Sequence, residues 1–250
     1  MKKGLAYFLS LCLVLLLAAC SKDNMFDCFK SNGADVTETR TPGSFLVVAV
    51  NDQINLRVVN GSEFKVDVTA GKHIIKNIHT SIKSNTLSIE NKNTCNFVRG
   101  YKREVNVTVT VPYIKKVENL GVGTVTFDDN FKQDTLLLLT ESSGDIYVNG
   151  TYNEIRTTSH GNGDIYLNGS CNSLYVYMNG INFFRGLNMP IRDFIFVETL
   201  SIGDCYVNAT QSPQLAYHIW SDGNIYYTGS PTKIEDVSSG TQKGRAIHQN

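Results

Sequence analysis

Tyr147, Tyr166, Tyr206 and Tyr226 each stand two residues after an aspartate or asparagine, in GDIYVNG, GDIYLNG, GDCYVNA and GNIYYTG. The first three are followed, two residues further on, by Asn149, Asn168 and Asn208. Side chains alternate along an extended chain, so in each copy the tyrosine and asparagine share one face while Ile146, Val148 and their counterparts take the other. Flat aromatic rings flanked by amides would stack on sugar rings and hydrogen-bond their hydroxyls, which makes these residues the candidate ligand-binding row. Like residues stacked copy upon copy would also stabilise a sheet with no ligand at all. Both readings stay open at the level of sequence.

Other chemistries are poorly served. The Gly-Asp pairs are similar to calcium-binding nonapeptide repeats, but Asp145, Asp164, Asp204 and Asp222 recur about every twenty residues. A hard cation needs six or more oxygens close together, so capping of a turn by the aspartate side chain is the expected role. A polysaccharide-processing enzyme would need convergent carboxylates or a basic residue beside them. Asp128 and Asp129 are adjacent and would fall on opposite sides of a strand, and His73, His79, His160, His218 and His248 share no spacing. No serine elbow, zinc pair or phosphate loop occurs. The expectation is a non-enzyme with no catalytic residue, metal or cofactor. Trp220 and His218 would point outward if Tyr217 and Ile219 point inward, forming with Tyr175 and Tyr177 a second outward cluster.

The elements that must carry the tyrosines are legible as a repeat. GTVTFDDN, GDIYVNGT, GDIYLNGS, NFFRGLN, GDCYVNAT and GNIYYTGS align with spacings near twenty from Gly150 to Gly169, Gly186, Ala209 and Gly229, and a second strand lies midway in each unit. A unit of two short strands cannot bury its own apolar face and must stack on its neighbours, which predicts an all-β fold, a β-solenoid of five or six coils over 121–237. Each glycine would supply a turn that a β-carbon hinders. Residues 42–120 alternate apolar and polar in FLVVAV, INLRVV, FKVDVTA, TLSIEN and VNVTVTV, and read as a short-stranded β section. Helix is expected almost nowhere. NFFRGLN replaces a glycine-aspartate rung, so its coil should be irregular.

The amino terminus is a targeting segment. Lys2 and Lys3 precede an apolar run from Leu5 to Leu17, too short to span a bilayer, that meets Leu17-Ala18-Ala19-Cys20. That tetrapeptide is similar to the lipobox of bacterial lipoproteins, so residues 1–19 are read as a signal peptide and Cys20 as the lipidated anchor to the outer membrane. SKDN after it looks like a charged surface-export tag. Residues 20–41 read as a flexible leader and 238–250 as a polar tail that blunts the last strand. Loss of Lys2 and Lys3 from 23 basic side chains, against 23 acidic, leaves a nearly neutral chain. No basic cluster is present to bind nucleic acid. In an oxidising compartment Cys28 and Cys95, both in polar loop-like contexts, are expected to form the one disulfide, with Cys171 and Cys205 left as thiols.

The GSFLVVAVNDQINLRVVNGSEFKVDV and VNVTVTVPYIKKV blocks, the SSGDIYVNG and GNGDIYLNG rungs and the closing GNIYYTGSP together resemble the family described as putative auto-transporter adhesin, head GIN domain, over about Cys28 to Val237. DCFKSNG and NTCNFVRGY are similar to a lipoprotein subset of it. The resemblance implies a right-handed parallel β-helix over 42–237, no known catalytic activity, and adhesion; with the outward tyrosine row, the expected partner is a glycan or an envelope or host protein.

Overall fold

The computed structural model describes residues 31–93, 104–238, 240 and 243–250. The expected signal 1–19, anchor Cys20 and Cys28–Cys95 bridge lie outside the described residues.

Strand alternation is visible at once in burial. In the strand Val105–Val111 the four valines are buried while Asn106, Thr108 and Thr110 face outward. Among the described residues eighteen strands form one continuous sheet. The early ones are β1 (Asp35–Arg40), β2 (Val47–Val50), β3 (Ile54–Asn60), β4 (Lys65–Gly71), β5 (Ile78–Lys83), β6 (Thr86–Asn91) and β7 (Val105–Val111). After β8 (Lys116–Asn119), β9 (Val125–Phe127) and β10 (Lys132–Thr140) come three long strands that bend around a corner, β11 (Ile146–Gly161), β12 (Ile165–Gly180) and β13 (Phe184–Thr199). The last are β14 (Cys205–Asn208), β15 (Gln214–Ile219), β16 (Ile225–Thr228), β17 (Lys233–Asp236) and β18 (Ala246–His248). Among the described residues the one helical element is a single 3₁₀ turn at Ile75–Asn77.

Parallel pairing sorts the strands into two ladders, as a β-solenoid requires. The first runs through β9, the opening halves of β11, β12 and β13, then β14, β16 and β18. The second runs through β8, β10, the closing halves of β11, β12 and β13, then β15 and β17. Ile146, Val148, Ile165 and Leu167 of the first ladder, with Ile155, Leu174, Val176 and Ile195 of the second, belong to one buried core between them. That burial is the main stabilising term, because each coil alone would leave its apolar face in water.

Residues 42–120 join the same solenoid but out of order. Strands β2 and β3 lie between β6 and β7 on one side and β8 and β9 on the other. The end beyond β6 and β7 is closed by antiparallel pairing: β4 on β7, β1 on β4 and β5 on β6. Two expectations are corrected here. Residues 35–40 of the expected leader form β1, because Thr37 and Thr39 find Thr69 and Asp67 across the pair and Arg40 donates to the Ile78 carbonyl at 2.7 Å. The polar tail contributes β18, which pairs in parallel with β16 and so extends the first ladder rather than only blunting it. Exposed, charged β1 leaves an outer edge unattractive to further strands.

Candidate binding surface

The tyrosine row forms as the alternation requires, and its register fixes its members. Thr126, Tyr147, Tyr166, Arg185, Tyr206, Tyr226 and Ile247 stand opposite one another in turn. Tyr147 and Tyr166 stack with centroids 4.4 Å apart and planes 7° apart; Tyr206 and Tyr226 stack at 5.0 Å and 12°. These ring faces cover each other, so the row presents ring edges to solvent. The hydroxyls of Tyr147 and Tyr166 reach back along their strands and donate to Oδ2 of Asp145 and Asp164 at 3.4 and 3.3 Å. Burial, with Asp145 and Tyr166 alongside, pushes the Tyr147 phenol up to about 12, and burial raises Tyr206 in the same direction.

The aspartates do not cap their own turns as expected. Oδ1 of Asp145, Asp164 and Asp204 accepts the backbone N–H of the next coil, from Asp164 at 2.9 Å, Phe183 at 2.8 Å and Asn224 at 2.8 Å. Each carboxylate thus clamps two coils together. The glycine before it serves the same closeness: a β-carbon at Gly163 would lie 2.3 Å from the Gly144 carbonyl oxygen. The asparagine row is linked coil to coil in a similar way. Asn149 Nδ2 donates to the Phe127 carbonyl at 3.1 Å, Asn168 Nδ2 to Asn149 Oδ1 at 3.0 Å, and Asn208 Nδ2 to the Leu187 carbonyl at 2.7 Å.

Arg185 is the member of the row that sequence reading missed. Aligning NFFRGLN on Gly186 sets that glycine beside Gly169, at a corner. In the structure Phe184 pairs with Ile165 and Cys205, Arg185 with Tyr166 and Tyr206, and Gly186 with Val207, so Gly186 faces inward. The signal that would have found it is the strand itself, Phe184-Arg185-Gly186 laid on Ile165-Tyr166-Leu167. The coil is irregular as expected, with register shifts between Tyr166 and Asn168 and between Gly186 and Pro190 that bring Asn188 opposite Asn168. The bulge carries Leu187 and Asn188 outward. There the surface opens into a cleft of about 610 Å³ lined by Tyr147, Asn149, Tyr166, Asn168, Arg185, Asn188, Tyr206 and three aliphatic residues. Of the predicted row, Asn208 and Tyr226 lie outside this lining.

On the second ladder His218 and Trp220 do point outward, with Ile219 buried and Tyr217 half-buried. They cover one another at 3.9 Å, and the Trp220 indole donates to Glu198 at 3.0 Å. Tyr175 carries the Arg156 guanidinium 4.1 Å from its centroid. Tyr175 and Tyr177 line a smaller cleft of about 240 Å³. Among the described residues no group of three or more His, Cys, Asp or Glu side chains is placed to hold a metal ion. Cys171 and Cys205 are buried free thiols, as expected, and burial pushes Cys171 up to about 11.

Two parallel ladders closing over one core, with repeated side chains facing outward, define a parallel β-solenoid. The model of the family described as putative auto-transporter adhesin, head GIN domain, matches residues 44–231, and the chain belongs to that family. Among solved structures it is similar to a putative adhesin from Bacteroides fragilis, at 21% identity over 86% of this chain and 97% of that one, with a TM-score of 0.75. A putative adhesin from Parabacteroides distasonis is similar at 12% identity, 87% and 98% coverage and a TM-score of 0.69. A putative lipid binding protein from the same species gives 15%, 87% and 98%, and 0.65. No curated protein matches the chain.

Proposed function

We propose that this chain is a non-catalytic, exported lipoprotein, held to the outer membrane through Cys20, that binds glycans along the first ladder of its solenoid. The observation that supports this most is the cleft of about 610 Å³ lined by the phenols of Tyr147, Tyr166 and Tyr206, Arg185 in their row, and the amides of Asn149, Asn168 and Asn188. Weak contacts repeated at fixed spacing reinforce one another when a ligand spans several of them. The family's adhesive description agrees with an exported binding head.

The test is a glycan and host-matrix array probed with the mature chain carrying Cys20→Ser. A reproducible glycan signal is expected, and it should be lost when Tyr147, Tyr166, Tyr206 and Tyr226 are replaced together by serine in a protein that still melts cooperatively. Replacement by phenylalanine, which keeps the stacks and removes the hydroxyls, should weaken binding in part. Unchanged binding in the serine variant would remove the site assignment, and a signal confined to matrix proteins would replace glycan by protein. A second reading, a scaffold without ligand, is favoured by the mutual stacking of the ring faces; it predicts a blank array from folded protein. The anchor has its own measurement. Cells fed a clickable fatty acid should label the wild-type chain and lose essentially all label with Cys20→Ser, and equal labelling would refute lipidation there.

A further inference from the structure

Arg185 breaks the pattern of its row, and the break has a chemical direction. Asp145, Asp164 and Asp204 precede their tyrosines by two residues, whereas Phe183 holds that place before Arg185. The arginine therefore has no acid in its own rung. Its Nε reaches Asp164 Oδ2 of the neighbouring coil at 3.5 Å, and that carboxylate already accepts the Phe183 N–H and the Tyr166 hydroxyl. The two Nη groups of Arg185 make no hydrogen bond to the described residues, and the side chain is 43% exposed. Arg185 is also the one charged residue lining the cleft.

The guanidinium is nonetheless held in place. Its central carbon lies 5.8 Å from the centroids of both Tyr166 and Tyr206 and 4.9 Å from that of Phe183. A planar fork fixed between aromatic groups, with its outer donors unspent, matches an oxyanion that can accept two parallel hydrogen bonds. The amides of Asn149, Asn168 and Asn188 run beside it, one per coil. Coils in a parallel stack are spaced by about 4.8 Å, close to the length of one pyranose unit in a linear chain. A saccharide lying along the solenoid would meet an amide at each sugar and the guanidinium at one of them.

We infer that the cleft selects acidic saccharides, with the anionic group of one sugar, a carboxylate or a sulfate, seated on the Nη groups of Arg185 and its neighbours' hydroxyls on the asparagine row. This rests on the proposed glycan function of the same cleft. Calorimetric titration of the mature Cys20→Ser chain with oligogalacturonate, a sulfated galactan oligomer and a neutral galactan oligomer of equal length tests it. At least one acidic oligomer should bind ten-fold or more tighter than the neutral one, with the preference shrinking as salt is raised; the stronger of the two identifies the anion. Arg185→Gln should abolish the preference, so that the acidic and neutral oligomers bind that variant equally. Arg185→Lys should restore only part of it, because a point charge lacks the fork. Equal binding of acidic and neutral oligomers, or a preference that survives Arg185→Gln, would overturn acidic selectivity while leaving a glycan cleft in place. No binding of any oligomer by folded protein would sink both.

Discussion

Gly169→Ala should unfold at a much lower urea concentration than the wild type, losing roughly 3–4 kcal/mol. Gly169 has φ +122°, a conformation that alanine adopts only with strain, and its β-carbon would sit 1.9 Å from the Gly150 carbonyl oxygen. The obstacle is backbone of the adjacent coil, which cannot swing aside as a side chain would. The two coils must separate at that corner, weakening the Asn168–Asn149 hydrogen bond of 3.0 Å. In a stack where each unit touches only its neighbours, one opened interface weakens the array as a whole. Gly43 supplies the control, with φ +90° and nothing within 4 Å of an added β-carbon. Gly43→Ala carries the φ strain alone and should cost about 1–2 kcal/mol. Equal midpoints for the two variants would show that close approach of the coils contributes nothing.

Phe184→Ala should cost about 3–5 kcal/mol, the range for removing a fully buried aromatic ring. Phe184 is 1% exposed and lies in register between Ile165 and Cys205. Its ring passes over Gly186, where an added β-carbon would meet it at 2.9 Å. The large residue and the missing one on the same inward face of β13 therefore fill a single volume. Gly186→Ala should be destabilising alone but should recover part of the loss when combined with Phe184→Ala, a coupling that a double-mutant cycle of urea midpoints measures. Strict additivity would show that the two positions do not share that space. The effect bears on function as well, since Arg185 is the outward residue between them and inherits its orientation from their packing.

The repeat region shows how far local pattern reaches. Alternation in GDIYVNG and GDIYLNG is a property of a few consecutive residues, and it correctly puts Ile146 and Val148 inside and Tyr147 and Asn149 outside. The same alternation in VNVTVTV identifies β7 and its buried valines. Cys171 and Cys205 are legible as unpaired thiols for a geometric reason, because two stacking steps keep their backbones apart. The aspartates are harder. Their residue type announces a backbone acceptor, but a turn cap and an inter-coil clamp use the same atoms, and only the position of the next coil's N–H separates them.

The period, the facing of side chains in the glycine-aspartate rungs and the stacking of the coils can be read from the residues alone, since they follow from a twofold alternation and a unit too small to bury its own apolar face. Register and order emerge only once the chain is folded. β2 and β3 sit between strands that follow them in the chain, β1 and β18 are held by partners far along the sequence, the tyrosine rings turn their faces to one another, and Arg185 joins their row because a bulge absorbs the residues that misalign NFFRGLN. The physical reason is common to all four: pairing between strands is a contact between distant segments, chosen by the packing of the whole stack, and no short window of residues contains both partners.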